Sequence, residues 1–189
     1  GKSTFKINTN GDVVWEKYYN INNKGIFGLD ITVLNSSEYV ICGKIQDTLP
    51  IQNKGVIFKV DSLGNPVWSY SCAYDGNSNF VFSRLNYSNS SITTLGYHLQ
   101  GNSEGFSPTE TDFLIRFDVN GSQVFSKKIN GNDNISVYDM AATQDNGIIL
   151  SGCICTDVVV NSYQPFVQRI DNDVQNKCGI VDSNLTINP

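Results

Sequence analysis

Four stretches of this chain can be written under one another: FKINTNGDVVW from Phe5, FKVDSLGNPVW from Phe58, IRFDVNGSQVF from Ile115 and QRIDNDVQNKC from Gln168. Each has a basic residue (Lys6, Lys59, Arg116, Arg169), an apolar residue, and then Asn8, Asp61, Asp118 or Asp171. Trp15, Trp68, Phe125 or Cys178 follows seven residues later, and the Asx positions are 53, 57 and 53 residues apart. A second element alternates with the first. ITVLNSSEYVICG, LNYSNSSITTLG and AATQDNGIILSG end at Gly43, Gly96 and Gly152, which are 53 and 56 residues apart. Such regularity restricts the chain to architectures that use one supersecondary unit several times.

The recurring letters have a turn chemistry. An Asx side chain can accept hydrogen bonds from amides two or three residues on. Gly11, Gly64 and Gly121 stand where a left-handed backbone is wanted. The fourth copy, at Asp171, has Val174 at that place, so its turn is expected to differ. The aromatic lies on the returning strand, where Trp15, Trp68 and Phe125 are expected to fill the space between stacked sheets. Cys178 holds that slot in the fourth copy, and looser packing is expected there. The basic residue is expected to point away from the core, where pairing with a carboxylate would contribute little.

No segment has a helical period. The first full copy reads as strands at 28–34, 39–45, 56–61 and 66–72. Four short strands in about fifty residues are the mark of a β-propeller built from four-stranded antiparallel blades. The expected divisions are a half blade at 4–19 and blades at 27–72, 79–129 and 137–182. Longer connections are expected at 47–54, 100–111 and 156–164. Three and a half blades do not close a ring. Three outcomes stay open: part of a larger ring, a ring completed by a second copy, or an open crescent. Exposed edges at both ends invite self-association.

The segment Lys59-Val60-Asp61-Ser62-Leu63-Gly64-Asn65-Pro66-Val67-Trp68 resembles the K-[hydrophobic]-D-x-x-G-x-x-x-W repeat of secreted Bacteroidetes propeller proteins. Thr143-Gln144-Asp145-Asn146-Gly147-Ile148-Ile149-Leu150-Ser151-Gly152 resembles their alternating T-x-D-G-G-Y-I-[small]-G segment. The resemblance covers nearly the whole chain and its motifs are structural. It implies export and a secreted or cell-surface setting, and it implies no single activity. Many of those proteins carry a C-terminal sorting domain for type IX secretion. None is visible in this sequence, and the chain lacks an initiating Met, which reads as an excised segment.

Other signals are weaker. The first letters, GKST, imitate a phosphate loop, but no buried strand precedes them and a strand and turn follow, so no nucleotide site is expected. A net charge of -5 argues against a nucleic-acid partner. No apolar run is long enough for a helical membrane span. The five cysteines, Cys42, Cys72, Cys153, Cys155 and Cys178, match no zinc spacing. Buried small hydrophobes, one disulfide between distant strands, or a reactive thiol all remain open. The Asn-, Ser-, Thr- and Gly-rich surface suits an extracellular setting; six N-x-S/T sequons are present, including those at Asn35 and Asn184, and chance alone yields sequons in such a composition.

His98, the single histidine, is assigned a structural role. The runs Asn8–Asp12 and Asp118–Ser122 imitate the start of a calcium loop but lack its closing glutamate. No cofactor, metal or catalytic residue is therefore assigned. The expected function is a binding, adhesion or scaffold module for a protein or glycan at the cell surface. Tyr97, Tyr138, Tyr163 and Phe106 are its candidate binding aromatics. The competing class is a glycan-directed hydrolase using two of the carboxylates Asp30, Asp47, Glu104, Glu110, Asp112, Asp139 and Asp157.

Overall fold

Alternation of apolar and polar residues between Asx–Gly turns makes this an all-β protein. The computed structural model describes residues 3–48, 51–74, 79–99, 110–129, 135–157, 162–171, 180–182 and 185–188. Among these residues every regular element is a strand and every pairing is antiparallel.

Strands β1 (Ser3–Ile7) and β2 (Val13–Tyr18) form a two-stranded sheet. A short β3 (Asn20–Ile21) leads into β4 (Lys24–Asn35), β5 (Glu38–Thr48), β6 (Ile51–Val60) and β7 (Pro66–Tyr74), which pair consecutively as the first full meander. The second contains β8 (Phe80–Ser88), β9 (Ser91–Leu99), β10 (Glu110–Asp118) and β11 (Gln123–Ile129). The third has β12 (Ile135–Ala142), β13 (Ile148–Asp157) and β14 (Ser162–Ile170). The strands run further than the sequence reading placed them. In particular, 47–54 is no open connection: β5 and β6 pair as far as Thr48 and Ile51. The polar letters at 46, 52 and 53 of the sequence hide that hairpin from a hydrophobicity pattern. Most of 100–111 and part of 156–164 lie outside the described residues.

The final strands do not extend the third meander. β15 (Ile180–Asp182) pairs with β11, and β16 (Leu185–Asn188) pairs with β7. The end of the chain therefore laces the outer edges of two neighbouring meanders. The expected division at 137–182 thus includes a strand that belongs to the second sheet's edge, because its backbone finds free partners there. Residues 172–179, including Val174 and Cys178, lie outside the described residues.

The sheets bury their faces against one another. One cluster joins Val40, Cys42 and Ile57 of the first meander to Phe80, Phe82 and Ile115 of the second. Another joins Leu95 and Leu114 to Met140, Leu150 and Ile170 of the third. A third places Tyr19 against Phe58, on the other face of the first meander, with ring centroids 4.8 Å apart.

A bulge recurs in the first strand of each meander. Register slips between Gly28 and Asp30, between Phe82 and Arg84, and between Val137 and Asp139. The partner just before each slip is Gly43, Gly96 or Gly152, the glycine that ends the second repeated element. A bulge bends its strand and increases local twist.

Candidate functional site

The site is built on the repeated turn. Oδ1 of Asn8 accepts from the amides of Asn10 and Asp12, each at 2.9 Å. Asp61 accepts from Leu63 and Asn65, and Asp118 from Asn120 and Ser122, in the same pattern. The amides lie two and four residues on, so each carboxamide or carboxylate spans the whole loop. Gly11, Gly64 and Gly121 sit at φ of 89°, 76° and 91°.

The turns also join sheet to sheet. Trp15 Nε1 donates to the Ser62 carbonyl of the next turn at 2.9 Å, and Trp68 Nε1 reaches the Val119 carbonyl at 3.4 Å. A Cβ on Gly64 would meet the Trp15 ring at 3.2 Å, and one on Gly121 would meet the Trp68 ring at 3.0 Å. Each tryptophan thus caps the following turn. Phe125 lies beneath the Arg116 guanidinium, 4.9 Å from its ring centroid, and packs on the second core cluster.

The amide of Asn65, foremost among several donors, holds the Asp61 carboxyl below the usual carboxylate range. A depressed folded-state pKa stabilises above the unfolded pKa, and that stability is lost as pH falls through the folded value. Asp61→Ala should lower the urea midpoint at neutral pH, with the deficit shrinking below about pH 4. Asp61→Asn should keep the turn, as Asn8 does, and lose that pH dependence. Urea titrations of the three proteins across the acid range check this; equal midpoints for wild type and Asp61→Ala at neutral pH would refute it.

Two of the repeat's basic residues are not the exposed surface groups that alternation suggested. Lys59 and Arg116 are buried. Lys59 Nζ donates to the Val119 carbonyl of the neighbouring turn at 3.2 Å and pairs with Glu38 at 2.9 Å. That hydrogen bond to Lys59, with a second from Asn35, holds the Glu38 carboxyl below its usual range. Arg169 is exposed and pairs with Asp145 and Asp171.

At the corresponding corner of the second meander the chemistry changes. Glu38 lies five residues before Gly43, and the residue five before Gly96 is Ser91. Arg116 Nε donates to Thr93 Oγ1 at 3.2 Å, and burial pushes its guanidinium pKa down. A cleft of about 110 Å3 opens there between the second and third meanders. Asn86, Ser91, Thr93 and Arg116 line one wall, and Asn146 and Ile148 the other. Asn89 and Asn146, which line it, have φ of 50° and 70°. Asparagine tolerates this left-handed backbone better than most residues. The cleft presents amides, hydroxyls and one cation, a donor-rich set suited to a hydroxylated or anionic group.

Sequence reasoning did not find this cleft. Its signal was the replacement of Glu38 by Ser91 when the repeats are set in register. The candidate aromatics among the described residues lie elsewhere. Tyr138 and Tyr163 are exposed on the outward face of the third sheet, with Tyr138 Oη 3.0 Å from Cys153 Sγ. Tyr97 is half-buried on β9, and Phe106 lies outside the described residues.

The carboxylates are engaged in structure. Asp30 accepts from the amides of Leu85 at 2.7 Å and Ile31 at 2.8 Å. Buried Asp112 accepts from Val137 at 2.8 Å, pinning the third sheet to the second. Exposed Asp139 lies 3.5 Å from Arg84 and accepts from the Met140 amide. The side chains of Asp47, Glu104, Glu110 and Asp157 lie outside the described residues. His98 is buried on β9. Cys42, Cys72 and Cys153 are free thiols; burial raises Cys42 and pushes Cys72 up to about 12. Cys178 and the side chain of Cys155 lie outside the described residues.

The fold and cleft define an all-β repeat protein with sheet-to-sheet joints made by its turns. No protein-family model matches the chain, and no curated protein matches it.

Proposed function

We propose that this chain is a β-propeller segment, secreted or at the cell surface, that acts as a binding module for glycans or protein partners. The propeller reading is supported by consecutive antiparallel meanders, two of four strands and a third of three among the described residues, whose faces bury one another and whose turns recur in register. The binding reading rests on one observation: a polar cleft lined by hydroxyls and carboxamides opens beside buried Arg116, at the corner where Ser91 stands in place of Glu38. A buried guanidinium with neighbouring hydroxyls and carboxamides recognises planar or hydroxyl-bearing acceptors. Uronic and sialic acids carry both features; an acidic peptide side chain carries the planar carboxylate alone.

Ser91→Glu restores the charge pattern of the first meander and should leave the fold intact. On a glycan array the wild-type protein should retain acidic sugars, and Ser91→Glu should bind them at least about tenfold more weakly by calorimetry, the loss of one charge-assisted hydrogen bond. Equal binding by the two proteins, or no acidic glycan or acidic peptide retained by wild type, would overturn the cleft as the binding site.

A further inference from the structure

We infer that this chain associates head to tail with further copies of itself, the outward face of β1–β2 in one molecule packing on the outward face of β13–β14 in the next. Set in register, the repeats place equivalent side chains on equivalent faces. Along the third strand of each unit, Phe5, Phe58 and Ile115 occupy one position, and Ile7, Val60 and Phe117 another. Phe58, Val60, Ile115 and Phe117 face the preceding sheet, and Phe5 and Ile7 share that face by register. Phe58, Val60, Ile115 and Phe117 are buried, whereas Phe5 is 58% exposed and Ile7 54%. Ile31 and Val33 on β4 carry the same open face inward, at 51% and 59%. Leu85 and Met140, the counterparts of Ile31, and Tyr87, the counterpart of Val33, pack against a neighbouring sheet.

The opposite end shows the complementary pattern. Ile57, Leu114 and Val167 share a position that faces the following sheet. Ile57 and Leu114 are fully buried, and Val167 is 74% exposed. Val40 is fully buried on the second strand, while Ile149, its equivalent, is exposed. Each end thus displays apolar side chains that the interior repeats cover with a neighbour of the same kind. Within the chain, the surface covering a Val167-type face is a Phe5-type face, as Ile57 and Phe80–Ile115 demonstrate. The partner that continues this established interface is a second copy. Contiguous exposed apolar surface of this kind marks an interaction site. Two different faces meet in the contact, so it is heterologous and propagates unless the ends close into a ring.

The test is independent of the cleft. Sedimentation velocity of residues 1–189 from micromolar to millimolar concentration should show a mass that rises with concentration. Phe5→Glu blocks one end and Val167→Glu the other. Both sites are exposed, so circular dichroism and the urea midpoint should stay near wild type. Each variant alone should remain monomeric, with association weakened at least about tenfold. Mixed, the two should form a species of two chains and nothing larger, since each retains the end the other lacks. A wild-type chain monomeric throughout the range would overturn the inference. So would a dimer abolished by either variant and not recovered on mixing, which is the behaviour of an isologous contact.

Discussion

Gly43→Ala is expected to lower the stability of this protein by about 3 kcal/mol or more, the upper range for forcing atoms into a filled site. A Cβ there would sit 1.9 Å from the Phe27 carbonyl oxygen and 2.9 Å from its carbon. Both are backbone atoms, held by the bulge that inserts Leu29 into β4, so no side-chain rotation can relieve the overlap. Gly152→Ala meets the same obstacle, with the Ser136 carbonyl oxygen 2.0 Å away. The control is Gly11→Ala. Gly11 has φ of 89° and nothing within 4 Å of its added Cβ. That substitution costs only the left-handed backbone, about 1–2 kcal/mol. Chemical unfolding followed by circular dichroism ranks the three. A total stability of roughly 5–15 kcal/mol would leave Gly43→Ala folded but visibly weakened, or unfolded at modest urea. Should Gly43→Ala cost no more than Gly11→Ala, the bulge relaxes freely and this account of the repeat glycine fails.

This contrast shows what the sequence could display. The turn at Asp61 is written in five adjacent residues because its chemistry is local: a side-chain acceptor at one end and a glycine three residues on. The strands are legible for a similar reason, since alternation is a short-range pattern. Gly43, Gly96 and Gly152 were visible as recurring letters, but their reason was not. The atom that forbids a side chain at Gly43 belongs to Phe27, on a partner strand whose bulge no local pattern announces. Lys59 and Arg116 read as surface cations because burial of a cation depends on a carbonyl some sixty residues away, such as Val119 for Lys59. The lacing of β15 and β16 onto β11 and β7 is equally non-local. The cleft beside Arg116 falls between these cases. A comparison of repeats reveals the loss of the Glu38 carboxylate at Ser91, while the opposing wall at Asn146 and Ile148 comes from the stacking of sheets.

Phe80→Ala is expected to remove about 3–5 kcal/mol of stability. Its ring is fully buried, edge-on to Phe82 at 5.1 Å and to Phe113 at 5.4 Å. The ring also rests on two glycines from different sheets. A Cβ on Gly55 would lie 2.7 Å from Phe80 Cδ1, and one on Gly96 would lie 2.6 Å from Cζ. The phenyl group therefore occupies space that two missing side chains leave, and it is the joint between the first and second meanders. This arrangement makes a prediction about coupling that the single substitution does not. In the wild type, Gly55→Ala should destabilise by about 1–3 kcal/mol, because the new methyl overlaps a ring that has no free volume to enter. In the Phe80→Ala background the same methyl enters the cavity, restores part of the lost packing and stiffens a strand position where glycine is unfavourable. Gly55→Ala should then be neutral or stabilising. The double-mutant cycle should give an interaction energy of about 1–3 kcal/mol favouring the pair over the sum of the singles. Additive effects would mean that Phe80 and Gly55 do not share this space in solution, and that the first two sheets are joined by something other than this ring.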